Sequence, residues 1–209
     1  MRRRMLWIIV AVAMLGGSLW GPIVSQVEQA KYTVVASYND IELRDYAPMI
    51  VAEAEVSGER AQAIHQGFRI IADYIFGNNA ATQQVAMTAP VTQQPSKKIA
   101  MTAPVMQQAS GPAWTVRFVM PASYTLETLP KPNNPAVTLK TVKGQRFAVI
   151  RFSGGSGEDN LKQHTHALLD FLGAKQLTPL SEPTYAFFNP PWTLPFLRRN
   201  EVMVEIAHV

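Results

Sequence analysis

Two periodicities alternate along this chain, and together they restrict the folds open to it. KYTVVAS (31–37), IELRDY (41–46) and PMIVAEAEV (48–56) place apolar residues at every second position: Ile41 and Leu43 against Glu42 and Arg44, then Ile50, Ala52, Ala54 and Val56 against Glu53 and Glu55. That is the signature of strands with one buried face. Residues 58–76 change period, with Ala61, Ile64, Phe68, Ile71 and Ile75 forming one stripe of an amphipathic helix that Gly77-Asn78-Asn79 ends. AWTVRFVMP (113–121), VTLKTV (137–142) and QRFAVIRFSG (145–154) predict strands again. A second helix follows, capped by Ser156, carrying Glu158 and Asp159 in its first turn, striped by Leu161, Thr165, Leu168 and Leu172, and stopped by Gly173. TYAFFN and EVMVEIA close the chain as strands around a Pro- and aromatic-rich loop from Pro190 to Phe196. Two rounds of strands, helix and strands predict a duplicated α+β half-barrel.

A repeat interrupts the first round. VAMTAPVTQQ (85–94) returns as IAMTAPVMQQ (99–108), with Pro95-Ser96-Lys97-Lys98 between the copies. Two apolar segments joined by a polar turn predict a hairpin, with Val85, Met87, Ala89 and Val91 on one face and Ile99, Met101, Ala103 and Val105 on the matching one. Pro90 and Pro104 lack an N–H and need an edge, a bulge or a strand end.

The N-terminus reads differently. Arg2, Arg3 and Arg4 precede an apolar run from residue 5 to residue 24, long enough to cross the ~30 Å hydrocarbon of a bilayer as a helix. Residues 1–25 are therefore read as a signal peptide or an N-terminal membrane anchor, 26–30 as a tether and 31–209 as the folded domain. Three arginines before the apolar run hold the N-terminus in the cytoplasm and place the domain outside it, in the periplasm of a bacterial cell. Either the anchor holds it at the inner membrane or cleavage releases it. Of the 19 Lys and Arg residues, 16 lie beyond the anchor, against 15 Asp and Glu, so the domain is nearly neutral and nucleic-acid binding loses its electrostatic motive. The chain has no cysteine, which excludes disulfides, zinc–thiolate sites, iron–sulfur clusters and thiol nucleophiles.

Few residues suggest chemistry. Gly154-Gly155-Ser156-Gly157 lacks the spacing of a hydrolase elbow. His164 and His166 stand about 200° apart on a helix and cannot close on one metal. His65 lies about 80° from the centre of the first helical stripe: either a boundary histidine, or one that reaches a ligand between helix and sheet. Met87, Met101 and Met120 fall on inward faces, as adaptable core or as the soft lining of a flat apolar ligand. The loop Pro190-Pro191-Trp192-Thr193-Leu194-Pro195-Phe196 runs into Arg198-Arg199-Asn200-Glu201. Either it grips an amphipathic anion, or an Arg–Glu pair ties it down.

IELRDYAP, AIHQGFRIIADYIFGNN, MTAPV, FVMP, FAVIRFSG and NPPWTLPFLRRNEV, in this order over residues 31–207, resemble the SOUL haem-binding protein family, the doubled MTAPV looking like a bacterial version. The resemblance implies a distorted β-barrel of two pseudo-symmetric halves with two helices, and an apolar cleft for haem or another tetrapyrrole between a helix and the sheet. Some members carry a histidine between the Arg and Tyr of the early strand as axial iron ligand; here that position is Asp45, and Tyr46 points to the opposite face. Binding is then expected to be mainly apolar, with weak ligation of the iron or with His65 or a methionine reaching it. Arg69, Lys97, Lys98, Arg198 and Arg199 are the candidate partners of the propionates, and Met87 and Met101 line the cleft. The expected function is a non-catalytic tetrapyrrole carrier or buffer. The alternatives are a membrane-tethered ligand-sensing or protein-interaction module without haem and, last, a tetrapyrrole-modifying enzyme, which no carboxylate pair or triad supports.

Overall fold

The computed structural model describes residues 27–80, 97–190 and 192–207. The first copy of the repeat, with Met87, and the N-terminal segment 1–26 lie outside them. In chain order the elements are β1 (Tyr32–Tyr38), β2 (Ile41–Tyr46), β3 (Met49–Ser57), α1 (Arg60–Phe76), β4 (Asn79–Ala80), β5 (Val105–Ser110), β6 (Ala113–Val119), β7 (Lys131–Pro132), β8 (Thr138–Val142), β9 (Gln145–Phe152), α2 (Glu158–Ala174), β10 (Thr184–Phe187), a 3-10 turn (Pro195–Leu197) and β11 (Asn200–Ile206). Nine strands form one sheet in the order β1-β2-β9-β11-β10-β5-β6-β3-β8, and β4 pairs with β7 apart from it.

That order contains the expected duplication. β5-β6-β3-β8 carries α1 and β10-β11-β9-β2 carries α2, and the two halves join where β5 and β10 pair antiparallel. Short links then dictate the shape. β8 sits at one end of the order and β9 near the other, yet only Lys143 and Gly144 connect them, so the sheet must curl. At Gly144 the backbone passes so close that a Cβ would stand 2.9 Å from the Tyr46 carbonyl oxygen. The result is a strongly curled half-barrel, α+β as expected, with its helices outside and its helix-free face inside.

Strand alternation sorts side chains between these faces. In the first half Ala52, Ala54, Val116 and Phe118 pack beneath Ile71, Tyr74 and Ile75 of α1. In the second, Ala148, Ile150, Val202 and Val204 pack beneath Leu161, Leu168 and Leu172 of α2. The interior holds a third cluster: Tyr46, Ala103, Val149, Ala186, Phe188 and Met203, with Val27, Ala30 and Met106 against it.

Several expectations need correction. The stripe on α1 is rotated: Ala63, Gly67, Ile71 and Tyr74 are buried, whereas Ala61 is exposed and Phe68 is 39% exposed. The cause is Gly67, which lets α1 settle on β6; a Cβ there would lie 2.6 Å from Val116 Cγ2. Ser156 makes no cap on α2, whose N-cap is Gly157, and the helix runs past Gly173 to Ala174. The hairpin expected of the repeat involves its first copy, which lies outside the described residues, and only the course of the second copy is described. Ile99 to Pro104 is not a strand, and β5, which begins at Val105, already has β6 and β10 on its two edges. Instead Ile99 N–H bonds the Ile75 carbonyl at 2.9 Å, Thr102 Oγ1 bonds the Val119 carbonyl, and Asn79 clasps Lys97 through its main chain at 2.8 and 3.0 Å.

Candidate functional site

Alternation sends charge as well as apolar side chains into the half-barrel. In β2, Ile41 and Leu43 face α2, so Arg44 and Tyr46 turn inward; in β11, Val202 and Val204 face α2, so Glu201 turns inward. Arg44 is 2% and Glu201 0% exposed. Buried charges survive only when paired and hydrogen-bonded, and these are. Arg44 Nη1 donates to Glu201 Oε2 at 2.9 Å, and Arg44 Nε to Glu42 at 2.6 Å. Arg199 donates to Glu201 Oε1 from Nε at 2.9 Å and from Nη2 at 2.7 Å. The guanidinium of Arg44 lies 4.4 Å from the Tyr32 ring centroid and that of Arg199 3.8 Å from that of Phe188. Two cations and two anions compensate one another. Burial opposes the charge on Arg44, but the hydrogen bond and charge of Glu201 outweigh it and hold the guanidinium protonated. Burial, then the Glu201 charge, push the Tyr46 phenol above its usual range.

The first half carries a second set on the same inner face. Glu53 accepts from Arg117 Nε at 2.7 Å and pairs with Lys140 at 2.5 Å. Burial of this carboxylate is outweighed by the two cationic donors, which lower its pKa. Between the two sets lies an apolar cavity of about 50 Å³, lined by Tyr46, Met49, Val51, Met106, Phe147 and Met203. Ligand pockets for drug-sized molecules run from about 300 to 1,000 Å³, so it is far too small for a tetrapyrrole. Residues 28–30 form a strap along one side of it. Ala30 lines the cavity, its N–H bonds the Ala103 carbonyl at 3.3 Å, and Ala103 N–H bonds the Glu28 carbonyl at 2.9 Å.

Space of the required size lies elsewhere. A groove of about 830 Å³ runs between α2, the end of β9, the β1–β2 turn and the 3-10 turn, lined by Asp40, Arg151, Phe152, His164, Phe196, Leu197, Arg198 and Arg199 among others. His164 stacks on Phe152 with ring centroids 3.9 Å apart. Its Nδ1 lies 2.8 Å from the Asn160 carbonyl oxygen. A carbonyl only accepts, so Nδ1 donates and Nε2 is the nitrogen left for a ligand, the arrangement that orients ligating histidines. A second groove of about 380 Å³, near the tether, is lined by Met49, Met120, Pro121, Tyr124 and Leu126 without a histidine.

The residues singled out from the sequence separate. Arg198 and Arg199 both line the 830 Å³ groove. Arg199 is held by Glu201, Gln29 and Tyr32, which is the tied-down arrangement, and Arg198 Nε donates to the Thr193 carbonyl at 2.7 Å. His65 and Arg69 are exposed on α1, and His65 stands about 160° around the helix from Gly67, facing away from the sheet. The rotated stripe, not the local sequence, moves it from the boundary. Met101 is 37% exposed and Met120 is buried in the first core at 3%. Lys97 sits over the Tyr124 ring at 5.2 Å and Lys98 is exposed. His65, Arg69 and Met101 line neither the groove nor the inner cavity. Asp45 is clamped by Arg146 through Nε at 2.7 Å and Nη2 at 2.8 Å, on the face opposite Tyr46 as alternation requires. His164 was missed because it was weighed only as half of a pair with His166. No local residue signals it, since its partner is the main-chain carbonyl one turn earlier, which any residue supplies.

No curated protein matches this chain. Among solved structures, the C-terminal domain of EcmrR superposes with a TM-score of 0.58 at 9% identity, covering 85% of this chain and 99% of that one. A hydrolase from Listeria innocua gives a TM-score of 0.52 at 16% identity over 83% and 94% of the two chains. An uncharacterized conserved protein from Listeria innocua gives 0.53 at 15% identity over 82% and 94%. These likenesses are of fold alone. The sequence profile described as SOUL heme-binding protein matches residues 27–205, nearly the whole described chain. The chain therefore belongs to the SOUL haem-binding protein family.

Proposed function

We propose that the chain is a non-catalytic carrier or buffer of haem or a related tetrapyrrole, working outside the cytoplasmic membrane. The observation that carries the reading is the 830 Å³ groove with His164 in its wall. Its volume falls within the range of ligand pockets, and part of its wall suits the ligand, although Asp40 and Glu42 also line it. Phe152, Phe196 and Leu197 offer apolar surface, worth about 25 cal/mol per Å² removed from water. Arg151 and Arg198 offer partners for carboxylates. His164 offers one imidazole nitrogen to iron, and histidine is a usual haem ligand where a carboxylate such as Asp45 is not. An open groove with one nitrogen donor suits loose, exchangeable binding. Arg2, Arg3 and Arg4 before the apolar residues 5–24 support the extracytoplasmic placement.

Titrating the chain with haemin and following the visible absorbance tests this. A saturable one-to-one Soret shift is expected. His164→Ala should weaken it about tenfold, or ~1.4 kcal/mol, and His65→Ala should leave it unchanged. No saturable shift at tens of micromolar haemin overturns the reading.

A second reading, a module that senses a small apolar ligand, is favoured by the inner cavity, since lifting residues 27–31 would enlarge it. Colour separates the two: a carrier purified from haem-supplemented cells is tinted and such a module is not.

A further inference from the structure

Between β10 and β11 the chain makes a loop that spends apolar surface on solvent. Trp192 and Phe196 are each 70% exposed, and Leu194 and Leu197 are 43% and 44% exposed. Four large apolar side chains within six residues make a patch of the kind that marks an interaction surface.

The loop is held in shape. Thr193 N–H bonds the Pro190 carbonyl at 3.0 Å, Leu197 N–H that of Leu194 at 2.9 Å and Arg198 N–H that of Pro195 at 3.1 Å, while Gly154 N–H reaches the Pro195 carbonyl at 2.9 Å. Thr193 is buried at 3%, so the loop packs inward through its one small polar residue and presents its large apolar ones outward.

Its base touches the tether. Arg199 Nη1 donates to Gln29 Oε1 at 3.1 Å and Arg199 Nη2 to Tyr32 Oη at 3.4 Å. Gln29 lies five residues beyond Val24, where the apolar N-terminal run ends. Five extended residues span at most about 18 Å. A bilayer holding residues 5–24 therefore has its surface within reach of this loop. Charge does not oppose it: no Asp or Glu occurs in the chain between Glu182 and Glu201, and Arg198 stands at the base beside Arg199, which Glu201 pairs.

We propose that the Trp192–Leu197 loop docks into the headgroup region of the membrane that the N-terminal segment reaches, making a second, interfacial contact beside the anchor. Trp is enriched at this depth, with an apolar body and a polar N–H, and the neighbouring Leu and Phe bury into the acyl boundary. The tether supplies a high local concentration, so a weak insertion suffices. Phe196 and Leu197 also wall the 830 Å³ groove, whose mouth the docking sets beside lipid.

The test uses the full chain, which has no native cysteine, in nanodiscs of phosphatidylcholine and phosphatidylglycerol. An environment-sensitive fluorophore is attached at Leu194→Cys. A control label goes at Ser57→Cys, exposed at the opposite end of the strands, since β5 runs from Val105 beside Phe187 to Ser110 beside Ala113, the partner of Ser57. The label at 194 should emit blue-shifted and be quenched by doxyl-labelled lipid, and that at 57 should not. Adding Trp192→Ser and Phe196→Ser, both at exposed sites, should return the 194 label to its emission in water and abolish quenching. Matching behaviour of the two labels overturns the proposal, as does quenching that survives the double serine change, since proximity alone would then account for it. A blue shift without lipid quenching that grows with copies per disc assigns the surface to a second copy of the chain and also overturns it.

Discussion

Arg44 and Glu201 stand 157 residues apart in the chain and meet 2.9 Å apart inside the half-barrel, so the first strands and the last are joined by a charge pair that solvent does not reach. Removing one partner takes a buried ion pair from the other and leaves it only its second one, Glu201 with Arg199 or Arg44 with Glu42. Arg44→Met alone, or Glu201→Gln alone, should cost about 1.5–3 kcal/mol, read as a lower midpoint in urea denaturation of residues 26–209. Replacing both by apolar residues of similar volume should recover most of that loss. A single variant within about 0.5 kcal/mol of the parent would show the pair to be idle.

The contact between α1 and β6 can be tested by a single methyl group. Gly67→Ala puts a Cβ 2.6 Å from Val116 Cγ2, with no solvent side to relax into. Overpacking of this kind costs about 1–3 kcal/mol. Val116→Ala in the same chain should restore part of the stability lost, giving a favourable coupling in a double-mutant cycle.

Glu53 sets a pH dependence. Its cationic neighbours lower its pKa below the ordinary 4.5 in the folded state, so its contribution is fully present above the unfolded value and is lost as pH falls through the lower, folded one. Glu53→Gln should therefore be less stable than the parent at neutral pH, with the gap closing as the solution is acidified below the ordinary carboxylate value. The carboxylate is only partly buried, which keeps the effect modest. Denaturant midpoints across an acid series measure it; a gap that widens on acidification would contradict the sign.

Two phenols should stay protonated in alkali. Burial raises both Tyr46 and Tyr74, and Tyr74 Oη donates to the Pro130 carbonyl at 2.8 Å. Tyr46→Phe and Tyr74→Phe should each leave the phenolate absorbance that develops near pH 10 unchanged, because neither group ionises there in the folded chain. A variant that removes one tyrosine's worth of that signal would refute the placement of its ring.

The strands were legible because each half-buried one alternates: IELRDY occupies β2 without error, and the long segments around residues 113, 145 and 201 fall within two residues of β6, β9 and β11. The helices were legible as helices, but the face of α1 was not, since the stripe counted Ala61 and Phe68 and passed over Gly67. A residue without a side chain gives no hydrophobic signal, yet it lets the helix approach the sheet. The error carried His65 with it. The partner of β5 was not legible either: it pairs with β10, which lies far along the chain, and no neighbouring residue announces that. The Arg44–Glu201 contact is equally nonlocal, and nothing beside Arg44 announces its partner. Arg198 and Arg199 were found because two arginines behind an apolar loop are visible in one window, whereas the groove they line needed α2 and β9 brought together.

The strap over the inner cavity limits how the protein can be matured. Val27 and Ala30 pack against the Tyr46, Ala103 and Met203 cluster, Glu28 holds Ala103 N–H through its carbonyl and Ala122 N–H through its carboxylate, and the Lys31 carbonyl accepts Ala47 N–H. These residues are bonded to the folded domain and half-bury Val27 and Ala30 against it, even though they read as linker. A peptidase that released the domain would have to cut before Ala30 to keep the wall whole, because Ala30 is the residue of this strap that lines the cavity.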